Sequence, residues 1–440
     1  MLQPIRKMCA AVCLAALLFG LTAGIAAAGE KPSGSIQIWS MLTQKERADS
    51  LQKLADDYVA QNPGTSISIT VMPWSGAMDK IVAAITAGNA PDIMVTGTGY
   101  PQTLAGTRGL LELSDLVDMI GGKDAFLSTS LSVQGADEDG GIYSIPLYIT
   151  PYVTYYRQKW LDEAGISKLP ETWEEYYDMC KAVTKPEENR YGFALPLGDL
   201  HGWKTIWTLL QSNGVDFINK DADGNWFVDL DAEDRAAAVE VYDYLYKLVR
   251  DCAPKGTISY TQTNVREIVA GGTVMSRIDT PEIYYTLKTV APDAIQDVSF
   301  FQFPGRKRTG SGQGWVGLSV SAKGNTVLAK DFLRHLFTGD TLIDFYLSYP
   351  HAMFPAKSEL FENARYQNGL PPELKRLVPD MALDILSTSS SLGMVNGPFP
   401  GAGEFESQSI LGNALVKMFS EGYSAEKAVD YIVDELENLL

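Results

Sequence analysis

The chain has 440 residues, with 36 Lys and Arg against 54 Asp and Glu and a formal charge of −18. That balance disfavours nucleic acid and anionic membrane as partners, because both bind through surplus cations. Three widely spaced histidines (His201, His335, His351) with no His-Glu-x-x-His pair argue against a zinc enzyme, and no Gly-x4-Gly-Lys-Ser/Thr stretch is present to cradle a nucleotide phosphate.

Arg6 and Lys7 precede a nearly all-apolar run, residues 8–21, and Ala26-Ala27-Ala28 supplies small residues for cleavage. This is the pattern of a secretory signal peptide over residues 1–28. Residues 8–28 are just long enough to span a membrane, but Gly20, Thr22 and Gly24 weaken the run. Cys13 follows Ala-Ala-Val, which fits a lipid-attachment signal poorly. Removing residues 1–28 leaves 412 residues and takes the charge to −20. A chain of that length exceeds one core and suits two lobes. Only Cys180 and Cys252 then remain, and both a disulfide and two buried thiols stay open.

Residues 35–40 read as a strand, and Thr43-x-x-Glu46 as a capping box opening a helix. Leu51, Leu54, Ala55 and Tyr58 give that helix one apolar face, stopped at Asn62-Pro63-Gly64. Residues 66–71 form the next strand, Met78, Ile81, Val82 and Ile85 a second helix ending at Gly88, and residues 91–96 a third strand. This β-α-β-α-β order implies a mainly parallel sheet with helices on both faces. Thr172-x-x-Glu175 is another capping box, with Trp173, Tyr176, Tyr177 and Cys180 as the buried stripe behind it. Residues 232–250 form a long helix with Val239, Tyr242, Tyr246 and Val249 on one face. Residues 312–320 return to strand and 330–347 to helix. Two closing helices turn Ala425, Ala428, Val429, Ile432, Leu436 and Leu439 inward.

Residues 141–165 are the most telling stretch. A turn at Gly141-Ile-Tyr-Ser-Ile-Pro146 leads into Leu147-Tyr-Ile-Thr-Pro-Tyr-Val-Thr-Tyr-Tyr156, and then into a helix that stops at Ala164-Gly165. The β-branched and aromatic run is strand-like. Pro146 and Pro151 favour a crossing or edge strand over a central one. The stretch resembles the signature segment of the family 1 extracellular solute-binding proteins, the sugar receptors of ATP-driven importers. Arg157 departs from the family's Asn or Asp. Further stretches are similar to the family in the same order: Leu169-Pro-x-Thr-Trp-Glu-Glu175, Arg190-Tyr-Gly-Phe-Ala-Leu-Pro196, Asn213-Gly, residues 221–230, residues 314–323, Pro398-x-Pro-Gly-x-Gly-Glu404 and residues 421–428. The resemblance implies an α/β, two-lobed periplasmic-binding-protein fold of type II. Each lobe would be a doubly wound, mainly parallel sheet, with a hinge between. The expected division is 29–150 with 318–350 for the N-terminal lobe and 151–317 with 351–440 for the C-terminal lobe. The expected function is a monomeric periplasmic receptor, not an enzyme, that closes on a neutral sugar or oligosaccharide and hands it to membrane permease subunits.

Several letter-level motifs have plainer readings. Gly312-x-Gly314-x-x-Gly317 matches a dinucleotide fingerprint, but residues 318–321 read as strand where a helix is required, so no cofactor is expected. Asn219, Asp221, Asp223 and Gly224 resemble the start of a calcium loop, yet Leu230 stands where a bidentate Glu is needed. A hairpin turn fits better, and no metal is expected. Arg306-Lys-Arg308 reads as a solvated turn. The pairs Tyr155-Tyr156 and Tyr284-Tyr285 suit a ferric-ion receptor of the same fold. Alternation should send the first pair to opposite faces, and the second reads as helix core.

A pyranose shows an apolar face and a rim of hydroxyls, so its site pairs flat aromatics with polar side chains. Open α/β sheets bind ligands at strand ends, which selects Trp39, Glu46, Trp74, Thr98 and Tyr100. Tyr148 and Thr150 lie on the crossing run, and Trp203 and Trp207 open a helix. Asp279 follows a strand, Gly314 and Trp315 enter the returning one, and Asn396, Phe399 and Glu404 lie on a late loop. Each also has a packing or capping reading, Glu46 in particular, and Asp92 reads as structural. The resemblance singles out Trp315 and the Asp279 region. A secreted glycoside hydrolase is the rival, with Asp279 and Glu404 as its carboxylate pair.

Overall fold

A computed structural model describes residues 32–127, 130–131, 140–307, 312–377 and 390–440. The expected leader, residues 1–28, and Arg308 of the basic turn lie outside the described residues. Among these residues twelve strands follow in chain order: β1 (Gly34–Ser40), β2 (Thr65–Val71), β3 (Ile93–Gly97), β4 (Ile145–Pro151), β5 (Val153–Arg157), β6 (Tyr191–Phe193), β7 (Ile218–Lys220), β8 (Trp226–Val228), β9 (Val274–Asp279), β10 (Val298–Phe301), β11 (Gln313–Val320) and β12 (Phe354–Pro355).

Two sheets organise the molecule, in the orders β12-β4-β11-β3-β1-β2 and β10-β5-β9-β6, with β7 and β8 forming a separate hairpin. β1 pairs parallel with both β2 and β3, as the β-α-β-α-β order requires. The strands that arrive from the other lobe enter antiparallel: β11 on β3 and β4, and β12 on β4. In the second sheet only β6 and β9 are parallel. Both sheets are therefore mixed, because a chain that crosses between lobes and returns reverses its direction.

The intervening helices bury the stripes their periodicity marks. Leu51, Leu54, Ala55 and Tyr58 are buried under helix Lys45–Gln61, and Gly88 ends helix Ala77–Ala87 in a left-handed conformation. The Thr43 capping box does not form. Thr43 is drawn into a turn by its own N–H, which bonds the Met41 carbonyl at 3.0 Å, so the helix begins at Lys45 with Gln44 as an uncapped start and Glu46 exposed. Thr172 does cap, accepting from the Glu175 N–H at 3.1 Å, while the Glu175 carboxylate turns back to the Glu171 N–H. The helical run expected over 330–347 is two helices, Thr326–Leu336 and Ile343–Ser348, separated where Gly339 takes a positive φ.

The signature segment crosses between the sheets in one step. β4 belongs to the first sheet and β5 to the second, with Tyr152 between them. β4 is an interior strand rather than an edge. Its prolines are accommodated because Pro146 faces a break in register at Val316/Gly317 and Pro151 ends the strand, while β12 pairs only with Ile149 and Tyr148 between them. β10 and β11 make the return crossing. The two crossings touch at the Tyr152 N–H, which donates to the Gly312 carbonyl at 3.1 Å. A Cβ on residue 312 would sit 2.6 Å from the Tyr152 ring, so this close approach requires glycine. Phe354–Pro355 pairs with β4, although the division read from the sequence put residues from 351 in the second lobe. Among the described residues, no helix is long and apolar enough to cross a membrane.

Candidate functional site

In the first sheet the C-terminal ends of the parallel strands β1, β2 and β3 share one edge, and the second sheet has the corresponding edge after β6 and β9. Ligand sites of open α/β sheets form at such edges. Contacts between the lobes show that the two edges face one another. Arg47, in the first turn after β1, pairs with Glu282, three residues after β9. Thr103 donates to Glu404 at 3.2 Å and to the Pro400 carbonyl at 2.9 Å. Gly99, at positive φ, lies so close to Gly403 that a Cβ would stand 2.7 Å from its nitrogen.

On the first-lobe wall the Trp74 ring covers Gly97, where a Cβ would lie 3.0 Å from it, and meets Tyr100 edge-on at 6.1 Å. Lys80 sits 5.0 Å over the Trp39 ring. The Tyr148 hydroxyl accepts from Arg47 at 3.1 Å, and Thr150 donates to the Ala352 carbonyl. Thr98 accepts the Trp315 backbone N–H at 3.2 Å. Trp315 itself is 2% exposed, and its indole N–H has no partner among the described residues.

The second-lobe wall is built on the start of helix Trp203–Ser212. Trp203 is buried and meets Tyr152 edge-on at 5.5 Å. The Lys204 ammonium next to it lies 3.6 Å from Asp279 and 5.3 Å over the Tyr152 ring. Asp279 is fully buried amid three cations: Arg266 at 2.9 Å, Arg277 at 3.0 Å and Lys204. Burial alone would raise its pKa, but those cations hold the carboxyl far below the usual carboxylate range. Glu406 shows the opposite balance. Burial pushes it up to about 7, with the Lys204 cation and the nearby Trp203 indole opposing only in part. The indole lies near that carboxylate without being aligned as a hydrogen bond. Lys204 is lowered to about 8 by burial, against the pull of Asp279. Tyr100 and Tyr152 are both pushed up, first by burial and then by the Glu406 charge.

Beside this centre a groove of about 590 Å³ lies between the lobes, lined from the first lobe by Glu46 and Tyr349 and from the second by Tyr285 and Lys288. Pockets of this size accept drug-sized ligands.

Of the residues singled out in the sequence, Trp74, Thr98, Tyr100, Tyr148, Trp203 and Asp279 line the facing edges, and Glu46 lines the groove. Thr150, Gly314 and Trp315 form the β4–β11 floor beside Tyr152. Asn396 and Phe399 lie apart. Asn396 is exposed and pins its loop to the Ile218 carbonyl and to Asn219, while Phe399 is buried against Trp226. Trp207 is core, its indole donating to the Ser390 carbonyl. The sequence reading passed over Arg47, Tyr152, Lys204, Glu282 and Glu406. For two of them a signal existed, since Lys204 adjoins Trp203 and Glu406 lies two residues past the chosen Glu404.

The rival chemistries find poor geometry. Asp279 is fully buried, with Lys204 and Gln262 on one carboxylate oxygen and Arg266 and Arg277 on the other, so neither oxygen is free to attack a sugar or take a proton. Tyr155 and Tyr156 pack into different clusters on opposite faces of β5. Tyr284 donates to the Val298 carbonyl, so neither tyrosine pair offers both hydroxyls to one ion.

Residues 44–340 match the family described as bacterial extracellular solute-binding protein. The diacetylchitobiose binding protein DasA of Streptomyces coelicolor is 28% identical over 342 residues, covering 75% of this chain and 77% of its own. The multiple sugar-binding protein of Streptococcus mutans is 23% identical over 345 residues, 75% of this chain and 79% of its own. Among solved structures, maltose-bound MalE3 of T. maritima superposes with a TM-score of 0.75 at 20% identity, covering 92% of this chain and all of that one. At that identity the likeness concerns the fold.

Proposed function

The chain belongs to the bacterial extracellular solute-binding proteins, and on that footing we propose that it captures a neutral sugar or oligosaccharide between its lobes and passes it to the permease of an ATP-driven importer. One observation carries the neutrality of the ligand: each ion of the facing edges already has an opposite partner inside the protein, with Arg47, Arg266, Arg277 and Lys204 sharing Glu282 and Asp279. Arg47 is paired with Glu282, and Lys204 with Asp279. Glu406, raised to about 7, hovers between neutral and charged. What remains for a ligand is aromatic surface from the half-buried Trp39, Trp74 and Tyr100 with a polar rim, which suits a polyhydroxyl ring and not a formal charge. The sugars named for the relatives support the same reading.

In this reading the ligand-contacting set is Trp39, Glu46, Trp74, Thr98, Tyr100, Tyr148, Thr150, Trp203 and Gly314, joined by Tyr152, Lys204 and Glu406, while the buried Trp315, expected from the sequence as a contact, acts in the core of the β4–β11 floor. Asp279 acts behind Lys204, and Asn396, Phe399 and Glu404 act in packing and lobe contact. The first lobe comprises residues 29–150 and 318–355, the last five being added because β12 pairs with β4. The protein works as a periplasmic monomer after loss of residues 1–28, without covalent chemistry. Binding shifts an open–closed equilibrium.

A thermal-shift screen of the mature chain tests this, with neutral sugars, sugar alcohols and oligosaccharides set against phosphorylated and acidic sugars. A neutral sugar at a hundredfold excess over its dissociation constant should add about 2.7 kcal/mol. Stabilisation by acidic or phosphorylated compounds alone would refute the neutral-ligand reading, and release of hydrolysis products from an oligosaccharide would refute the absence of an enzyme.

A further inference from the structure

Helix Ile283–Val290 and the Glu282 that precedes it meet the first lobe through three adjoining contacts. Tyr285 lies face to face on Tyr349, with centroids 3.5 Å apart and planes 7° from parallel. Tyr284 stacks on His351 at 4.5 Å. Glu282 pairs with Arg47, and both side chains are nearly buried, 14% and 6% exposed. Arg47 is held in place from two other sides, by its bond to the Tyr148 hydroxyl and by the Tyr349 ring 4.2 Å from its guanidinium. The second Glu282 oxygen accepts from Arg266 at 2.9 Å, and Arg266 reaches Asp279 at 2.9 Å. Asp279 in turn lies beside Lys204. An unbroken run of alternating charges thus leads from the first lobe through the joint to the second-lobe wall.

We propose that Arg47 and Glu282 are a lock on the closed lobes, with Glu282 as a positioning residue that ties closure to the Arg266–Asp279–Lys204 wall. The pair is the one link of that run that joins the two lobes, so opening must break it while the links within the second lobe survive. In the closed form the two charges lie largely out of water and are anchored by neighbours that open water cannot replace. Removal of Glu282 leaves Arg47 nearly buried without a carboxylate, and removal of Arg47 leaves Glu282 with Arg266 alone; either change penalises the closed form more than the open one. The inference rests on the reading of the chain as a hinge-closing receptor. Its test needs no sugar, so failure here leaves the sugar reading standing.

The test uses amide hydrogen exchange and small-angle scattering on the mature chain, comparing wild type with Arg47→Met, Glu282→Gln, the double variant and Arg47→Lys. Each single neutral variant should speed exchange about tenfold over 282–290 and 347–353 and enlarge the radius of gyration, with β1 and β2 unchanged. The double variant should exchange no faster than the quicker single one, since both remove one interaction. Arg47→Lys, which keeps the charge, should recover part of the protection. A variant too unstable to study still leaves the opposite end of the pair to be read. Unchanged exchange at both segments would overturn the proposal, and so would multiplying effects in the double variant or equal acceleration in β1 and β2.

Discussion

Asp279→Asn separates a structural carboxylate from a ligand-binding one. Asp279 and Arg277 are both completely buried, 3.0 Å apart, and Asn preserves the volume, so no cavity accompanies the loss of charge. Taking one partner from a buried ion pair costs about 3–5 kcal/mol, because the stranded charge cannot reach water. The figure is not multiplied by the number of cations. Arg266 keeps Glu282, and Lys204, its pKa already lowered to about 8, can shed its proton. The expected result at pH 7 is therefore a loss of about 3–5 kcal/mol in urea unfolding, followed by circular dichroism and tryptophan fluorescence together to check that the lobes unfold in one step. The pH dependence has a definite sign. The folded pKa of Asp279 is depressed, so its contribution is complete above the unfolded value of about 3.9 and fades only as pH falls below that toward the folded value. Asp279 itself thus adds no change to the gap from neutrality down to about pH 5, and a gap that widens there as pH falls reports the proton that Lys204 sheds in the variant. A variant within about 0.5 kcal/mol of wild type that has lost sugar binding would refute this reasoning and make Asp279 a ligand contact.

Glu406 should give the opposite pH signature: with its pKa raised from 4.5 to about 7, the folded chain holds a proton the unfolded chain has lost, so stability falls as pH rises between those values, and Glu406→Gln should flatten that slope. Persistence of the full slope in Glu406→Gln would assign it elsewhere. Trp315→Ala should lower stability by about 3–5 kcal/mol, as should Trp173→Ala, because the two rings are 2% and 1% exposed; an unaltered melting temperature with weakened sugar binding would instead make Trp315 a cleft residue. Cys180 and Cys252 are both buried free thiols, with Cys252 pushed up to about 12 by burial, so iodoacetamide should label them only after denaturation, and a linked pair of peptides in a non-reducing map would contradict this.

The elements that could be read from the sequence are those fixed by near neighbours. The stripe Leu51, Leu54, Ala55 and Tyr58 needs only helical spacing, and the turn at Gly88 only a residue free to take positive φ. The misread strand has a different cause. Pro146 and Pro151 argued against an interior strand, yet β4 is interior because β11 breaks register opposite Pro146 and β12 pairs only between the prolines. Those accommodations are made by residues 160 or more positions away. Thr43 looked like a cap, but its fate was settled by the Met41 turn before it. Local chemistry proposes an element, and distant pairing decides whether it survives.

The candidate site divides along the same line. Residue type suggested Trp74, Tyr100 and Asp279 at strand ends and Trp203 at a helix start, because aromatic and acidic groups at such positions are the raw material of a sugar site. Their electrical state was not legible. Asp279 and Glu406 are both acids near the same lysine, yet one is driven far down and the other up to about 7. The difference is that Arg266 and Arg277 converge on Asp279, whereas Glu406 has burial and little else. No spacing in the chain announces which carboxylate the arginines will reach. The same ignorance hid Arg47 and Glu282, an ordinary helix-start cation and a loop acid 235 residues apart. Such a pair acquires meaning only when two lobes close, since neither residue has any business with the other within its own lobe. Interlobe pairs are for that reason the class of functional residue least visible to sequence, and the class most directly tied to what a closing receptor does.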